Sequence, residues 1–101
     1  MINLPNNTQP VVEENNIVKP EWNTFFQQIK TTIKTDLLVD IGMPNAGQPL
    51  VKENGEIDSV WFSFFEKSYK ATGAFFGIPS SQEKLSSKWH TFFENMFQEL
   101  K

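Results

Sequence analysis

One pentapeptide constrains this chain more than anything else in it: Trp-x-x-Phe-Phe, written three times. The copies are Trp22-Asn-Thr-Phe25-Phe26, Trp61-Phe-Ser-Phe64-Phe65 and Trp89-His-Thr-Phe92-Phe93, and they take up all 3 tryptophans. Four residues before each Trp stands an aliphatic: Val18, Ile57 or Leu85. Seven, eight and eleven residues after that aliphatic come Phe25, Phe26 and Ile29 in the first copy. The second copy has Phe64, Phe65 and Ser68 there, and the third has Phe92, Phe93 and Met96. One turn further on lie Ile33, Thr72 and Leu100. Offsets of 0, 4, 7, 8 and 11 mark one face of a helix, whereas a strand would split each Phe pair between two faces.

The flanks agree with helices. Pro20, inside Lys19-Pro20-Glu21, suits a first helical position. Asp58-Ser59-Val60 and Ser86-Ser87-Lys88 supply N-cap oxygens, and the aliphatic then falls where it staples the first turn. Gly73 is a natural stop. The pattern therefore predicts a mainly α fold with three short helices, at 20–35, 59–72 and 86–100, joined by irregular loops. The motifs stand 39 and 28 residues apart, and a solenoid of constant pitch does not fit that spacing.

Between the motifs the signals change. Residues 1–19 hold Pro5 and Pro10, five Asn and no sustained period, which predicts an extended or disordered N-terminal arm ahead of a single helical domain at 20–101. A rival reading has the arm ordering against a neighbouring subunit through Val11-Val12 and Ile17-Val18. Over residues 36–56, Gly42, Pro44, Gly47 and Pro49 prevent regular structure, and Leu50-Val51 before Asn54-Gly55 carries the turn signal of a small hairpin. Phe75-Phe76, in the last linker, must dock on something to stay out of water.

Composition narrows the chemistry. Nine Lys, no Arg and twelve acidic residues leave a net charge of −3, against the basic excess that phosphate tracking needs, so no nucleic-acid partner is expected. There is no Cys, and His90 is the sole His, which leaves too few groups for a thiol nucleophile or an intrachain metal site. His90 falls off the Phe stripe and is expected at the surface. No glycine-rich phosphate loop, nucleophile elbow or zincin spacing appears. Asp36 and Asp40 near a helix end, and Glu13-Glu14, are explained by solvation. No enzyme, cofactor or metal is expected, and no apolar run approaches the ~18 residues of a membrane span.

Residues 47–69, from Gly47-Gln-Pro49-Leu50-Val51 through Asn54-Gly55 and Ile57 to Trp61-Phe-Ser-Phe64-Phe65, resemble a segment of small phage virion proteins and of the fronts of phage tail-fibre chains. There a Pro-Leu/Ile-Val stretch precedes an Asp-Gly or Asn-Gly turn, then Trp-x-x-Phe/Leu-Phe and an apolar helix. Weaker echoes lie at 17–33 and 85–100, while Ser68 replaces the usual aliphatic and no repetitive shaft follows. The resemblance implies a virion structural component of tail-fibre, tail-accessory or adaptor-associated type, located in the particle after assembly in the host cytoplasm.

Thirteen Phe and Trp in 101 residues are a large apolar load for one small domain. Trp22, Phe25, Phe26, Trp61, Phe64, Phe65, Trp89, Phe92 and Phe93 are accordingly expected in a core or an interface. The surplus points to a homo-oligomer, a trimer for preference, with Phe26, Phe65 and Phe93 between subunits or against other virion proteins. Two other classes fit the same residues: a monomeric helical binding module, such as a phage-encoded inhibitor of a host protein, and a small carbohydrate-binding module.

Overall fold

A computed structural model describes residues 2–6, 10–73 and 76–101. Each ring motif lies on a helix: α1 is Pro20–Leu37, α2 Ser59–Thr72 and α3 Ser87–Leu100. Pro20 opens α1, where a missing N–H loses nothing. At α2, Asp58 Oδ2 accepts from Val60 N at 2.9 Å, a true N-cap. Ser86 occupies the same place before α3 but makes no cap bond, and its hydroxyl is buried without a partner. Gly73 ends α2 in the left-handed region at φ 62°, as its lack of Cβ allows. Leu38 ends α1 at φ 60° in spite of having one.

The repeat reaches well beyond the helices. Ile2-Asn-Leu4-Pro5-Asn6 matches Ile41-Gly-Met43-Pro44-Asn45 and, more distantly, Phe76-Gly-Ile78-Pro79-Ser80. These stretches are straps that run in extended form before each unit. Ile2 and Ile41 are buried, and Leu4, Met43, Phe76 and Ile78 pack against the core. Asn45 and Ser80 each accept, through the side chain, the N–H two residues on, at 2.9 and 3.0 Å.

In the first two units a tight hairpin follows the strap, and its bonds are superimposable. Glu13 N donates to Ile17 O and Lys52 N to Glu56 O, both at 2.8 Å. Lys19 N donates to Val11 O and Asp58 N to Leu50 O, again both at 2.8 Å. Asn16 at φ 67° and Gly55 at φ 90° turn the two corners. Isolated bridges Val12–Val18 and Val51–Ile57 close them, and Ile17–Pro49 joins one to the other. The third unit lacks this hairpin. Twenty residues separate Ile2 from Trp22 and Ile41 from Trp61, but only thirteen separate Phe76 from Trp89. That deletion, with the extra turn of α1 (18 residues against 14), accounts for the unequal motif spacing.

Residues 10–19 are therefore no free arm. Val11 and Val18 are core residues, in one cluster with Ile2 and the buried residues of the three helices. The described part of the arm, residues 2–6 and 10–19, is non-helical, and at 10–19 it orders on its own chain, with Val11 and Val18 buried. Phe75 lies outside the described residues, while Phe76 docks between Tyr69 and Phe92 at ring distances of 5.5 and 5.8 Å.

Candidate functional site

The nine motif rings form one body. Phe26, Phe65 and Phe93 meet at the centre in a nearly equilateral triangle, with centroids 5.2, 5.2 and 5.3 Å apart. Each Trp then packs on the central Phe of a neighbouring helix, always in the same sense. Trp22 meets Phe93 at 5.5 Å, Trp61 meets Phe26 at 5.4 Å, and Trp89 meets Phe65 at 5.4 Å. Within each helix the first Phe stands edge-on to its own Trp, at 88°, 88° and 82°. Edge-to-face and tilted pairs at these distances are the favoured aromatic geometries. The arrangement is a pseudo-three-fold rotation acting inside one chain.

All nine rings are at most 2% exposed. Phe26, Phe65 and Phe93 are thus not outward contacts awaiting another subunit. The three stripes that the sequence offered for association between chains satisfy one another within a single chain, and both members of each Phe pair face inward. Phe64 and Phe65 are alike in burial, each 1% exposed. No tryptophan offers a face on which a sugar ring could stack.

The residue after each Trp also has a repeated place. Phe62 lies edge-on to Trp89 at 6.2 Å and 87°, and His90 lies edge-on to Trp22 at 5.7 Å and 76°. His90 is half-buried, and burial lowers its pKa from the usual 6.5. Asn23 holds this place in the first unit. Asn23 Oδ1, His90 Nδ1 and Trp22 Nε1 are buried without a hydrogen-bond partner among the described residues. The other indoles are satisfied: Trp61 Nε1 donates to Gln48 O at 2.9 Å and Trp89 Nε1 to Glu83 O at 3.1 Å. The counterpart of Gln48 in the first unit is Gln9, outside the described residues.

The carboxylates stay scattered. Asp40 pairs with Lys30 at 3.3 Å and Glu83 with Lys88 at 3.5 Å, while Asp36, Glu13 and Glu14 are solvent-exposed. Among the described residues no three His, Asp or Glu side chains gather as metal ligands, and no helix is long and apolar enough to cross a membrane. No family model, curated protein or solved structure matches the chain.

The outer surface keeps two apolar features, an elbow that the sequence marks as an apolar patch at Leu37, Leu38, Val39 and Ile41 and a slot that it does not. Leu37, Leu38 and Val39 form an elbow where α1 ends, with Leu38 86% exposed. Beside it a slot of about 690 Å³ opens between the last turns of α1 and α3, its lining including Ile2, Thr35, Asp36, Phe97, Leu100 and Lys101. The elbow had a signal in the sequence, three consecutive apolar residues past a helix end; the slot had none, because it depends on how the helices meet.

Proposed function

We propose that this chain is a non-enzymatic structural component of a phage virion, of tail-fibre, tail-accessory or adaptor-associated type, that works by docking to other virion proteins. One observation carries the reading. The segment that resembles phage virion proteins, residues 47–69, falls within one folding unit and takes in its hairpin, the Asp58 cap and most of the ring-bearing α2. The chain uses that unit three times, twice nearly complete and once with the hairpin removed. A unit reused in this way serves architecture, and the triangle of phenylalanines gives it a rigid centre on which outer surfaces are held.

A second reading, a monomeric module that binds a host protein, draws on the closure of all nine rings within one chain, which supplies a core without any partner. Particle fractionation separates the two. Density-gradient-purified particles of the encoding phage should carry the chain in fixed ratio to the major capsid protein. Recovery only in the particle-free supernatant, bound to a host protein, would sink the virion reading and favour the second.

A further inference from the structure

The three-fold repeat makes one departure conspicuous. At the end of α2 the left-handed residue is Gly73; at the equivalent end of α1 it is Leu38, with φ 60° and 86% of its surface in water. Leucine there is unfavourable twice, once through the clash of Cβ with backbone and once through exposed apolar area. Neither burden contributes to the fold that the ring body holds together. Next to it lies the α1–α3 slot, whose lining is apolar at Ile2, Phe97 and Leu100. No linker joins α3 to α1, and the strap at Ile2 and Asn3 lines the slot between them.

We propose that this slot receives the Leu37–Leu38–Val39 elbow of a second copy, so that the chain pairs with itself about a two-fold axis. Elbow and slot are contiguous through Thr35 and Asp36, and such a patch is self-complementary under a two-fold rotation. The charges match as well. Asp36 and Lys101 both line the slot and make no ion pair with each other, Lys101 Nζ lying over the Phe97 ring at 5.6 Å, so a two-fold rotation can bring Asp36 of one copy to Lys101 of the other. A net charge of only −3 puts little repulsion in the way. The inference is independent of the virion reading, and either stands if the other fails.

Sedimentation of the full chain over roughly 1–500 µM tests it, since pairing follows mass action. The wild type should move from 11.7 kDa toward twice that mass. Leu38→Gly should weaken pairing by at least about tenfold while leaving the monomer as stable or more so, which separates lost association from lost folding. Asp36→Lys and Lys101→Asp should each weaken it, and the double exchange should restore it. Val60→Ser, at an exposed apolar position outside the slot, should change nothing. A wild type that stays at the monomer mass throughout overturns the proposal. So does association that Leu38→Gly and the charge exchanges leave intact, or association lost through Val60→Ser instead.

Discussion

The first two units and the third solve the same packing problem with different amounts of chain. Units one and two spend a hairpin on it, with the same bonds at the same distances and a left-handed corner at Asn16 or Gly55. Unit three drops the hairpin yet keeps the strap, the Trp, both Phe residues and an acceptor for its indole, now Glu83 O in place of Gln48 O. What survives the deletion is what closure of the ring body needs: a buried Trp and a central Phe for the neighbouring Trp. The hairpin is one way of bringing a carbonyl to the indole, and a shorter loop is another.

The largest effects should come where the three units are alike. Phe26→Ala, Phe65→Ala and Phe93→Ala each remove a ring from the central triangle, at about 3–5 kcal/mol. Against a total stability of roughly 5–15 kcal/mol, that brings each variant near unfolding. Urea denaturation should place all three within about 1 kcal/mol of one another, which is within the spread of such measurements. A ring whose loss is tolerated far better than the other two would break the three-fold equivalence.

Next in size is the corner where units one and two differ. Gly55 sits at φ 90°, and a Cβ added there would meet the Lys84 side chain at 3.1–3.4 Å. Gly55→Ala should cost about 1–2 kcal/mol, chiefly from backbone strain. Asn16→Gly at the matching corner should be close to neutral, because it removes strain and adds unfolded-state freedom in similar measure. Equal losses at both corners would mean that the hairpins are not interchangeable.

The ring body was legible because helical periodicity is local: the offsets around each Trp specify a face without knowledge of any partner. Helices, their approximate ends and the absence of regular strand followed from that alone. The hairpin at 11–18 was hidden because its turn uses Asn15-Asn16 where the second has Asn54-Gly55, and its polar residues resemble an unstructured arm. The straps were hidden because five residues of extended chain have no period to detect, and they become visible only when Ile2 and Ile41 are seen buried at equivalent places. The direction of Phe26, Phe65 and Phe93 was misjudged for a different reason. Surplus aromatic area says that rings must be covered, not whether another chain or another part of the same chain covers them.

His90 sharpens the comparison at moderate size, since Phe62 fills its place in the second unit. Its pKa is lowered in the fold by burial, so below pH 6.5 the unfolded chain takes up a proton that the folded chain resists. Stability from this residue is present above that pH and is lost as the pH falls through 6.5 toward the folded value. His90→Phe should erase that slope. At neutral pH it should also add up to about 1 kcal/mol by removing a buried, unpaired Nδ1 and restoring the ring pair of unit two. Urea midpoints at pH 7.5 and 5.5 decide it: an unchanged slope in the variant would assign the pH dependence elsewhere.

Ser68 gives the smallest effect. It is buried at the position where Ile29 and Met96 stand in the other helices, so a polar group occupies a core place. Its hydroxyl donates to Phe64 O at 2.8 Å, a carbonyl one turn back that the helix's own N–H also reaches. Removing the hydroxyl leaves no carbonyl unpaired and creates little new space, and Ala is the better helix former by a few tenths of a kcal/mol. Ser68→Ala should therefore shift stability by no more than about 0.5 kcal/mol, in either direction. Thermal melts of the two proteins should overlay within a few degrees. A loss above about 2 kcal/mol would show that the hydroxyl holds α2 in register, and that unit two closes on the centre by different means from its neighbours.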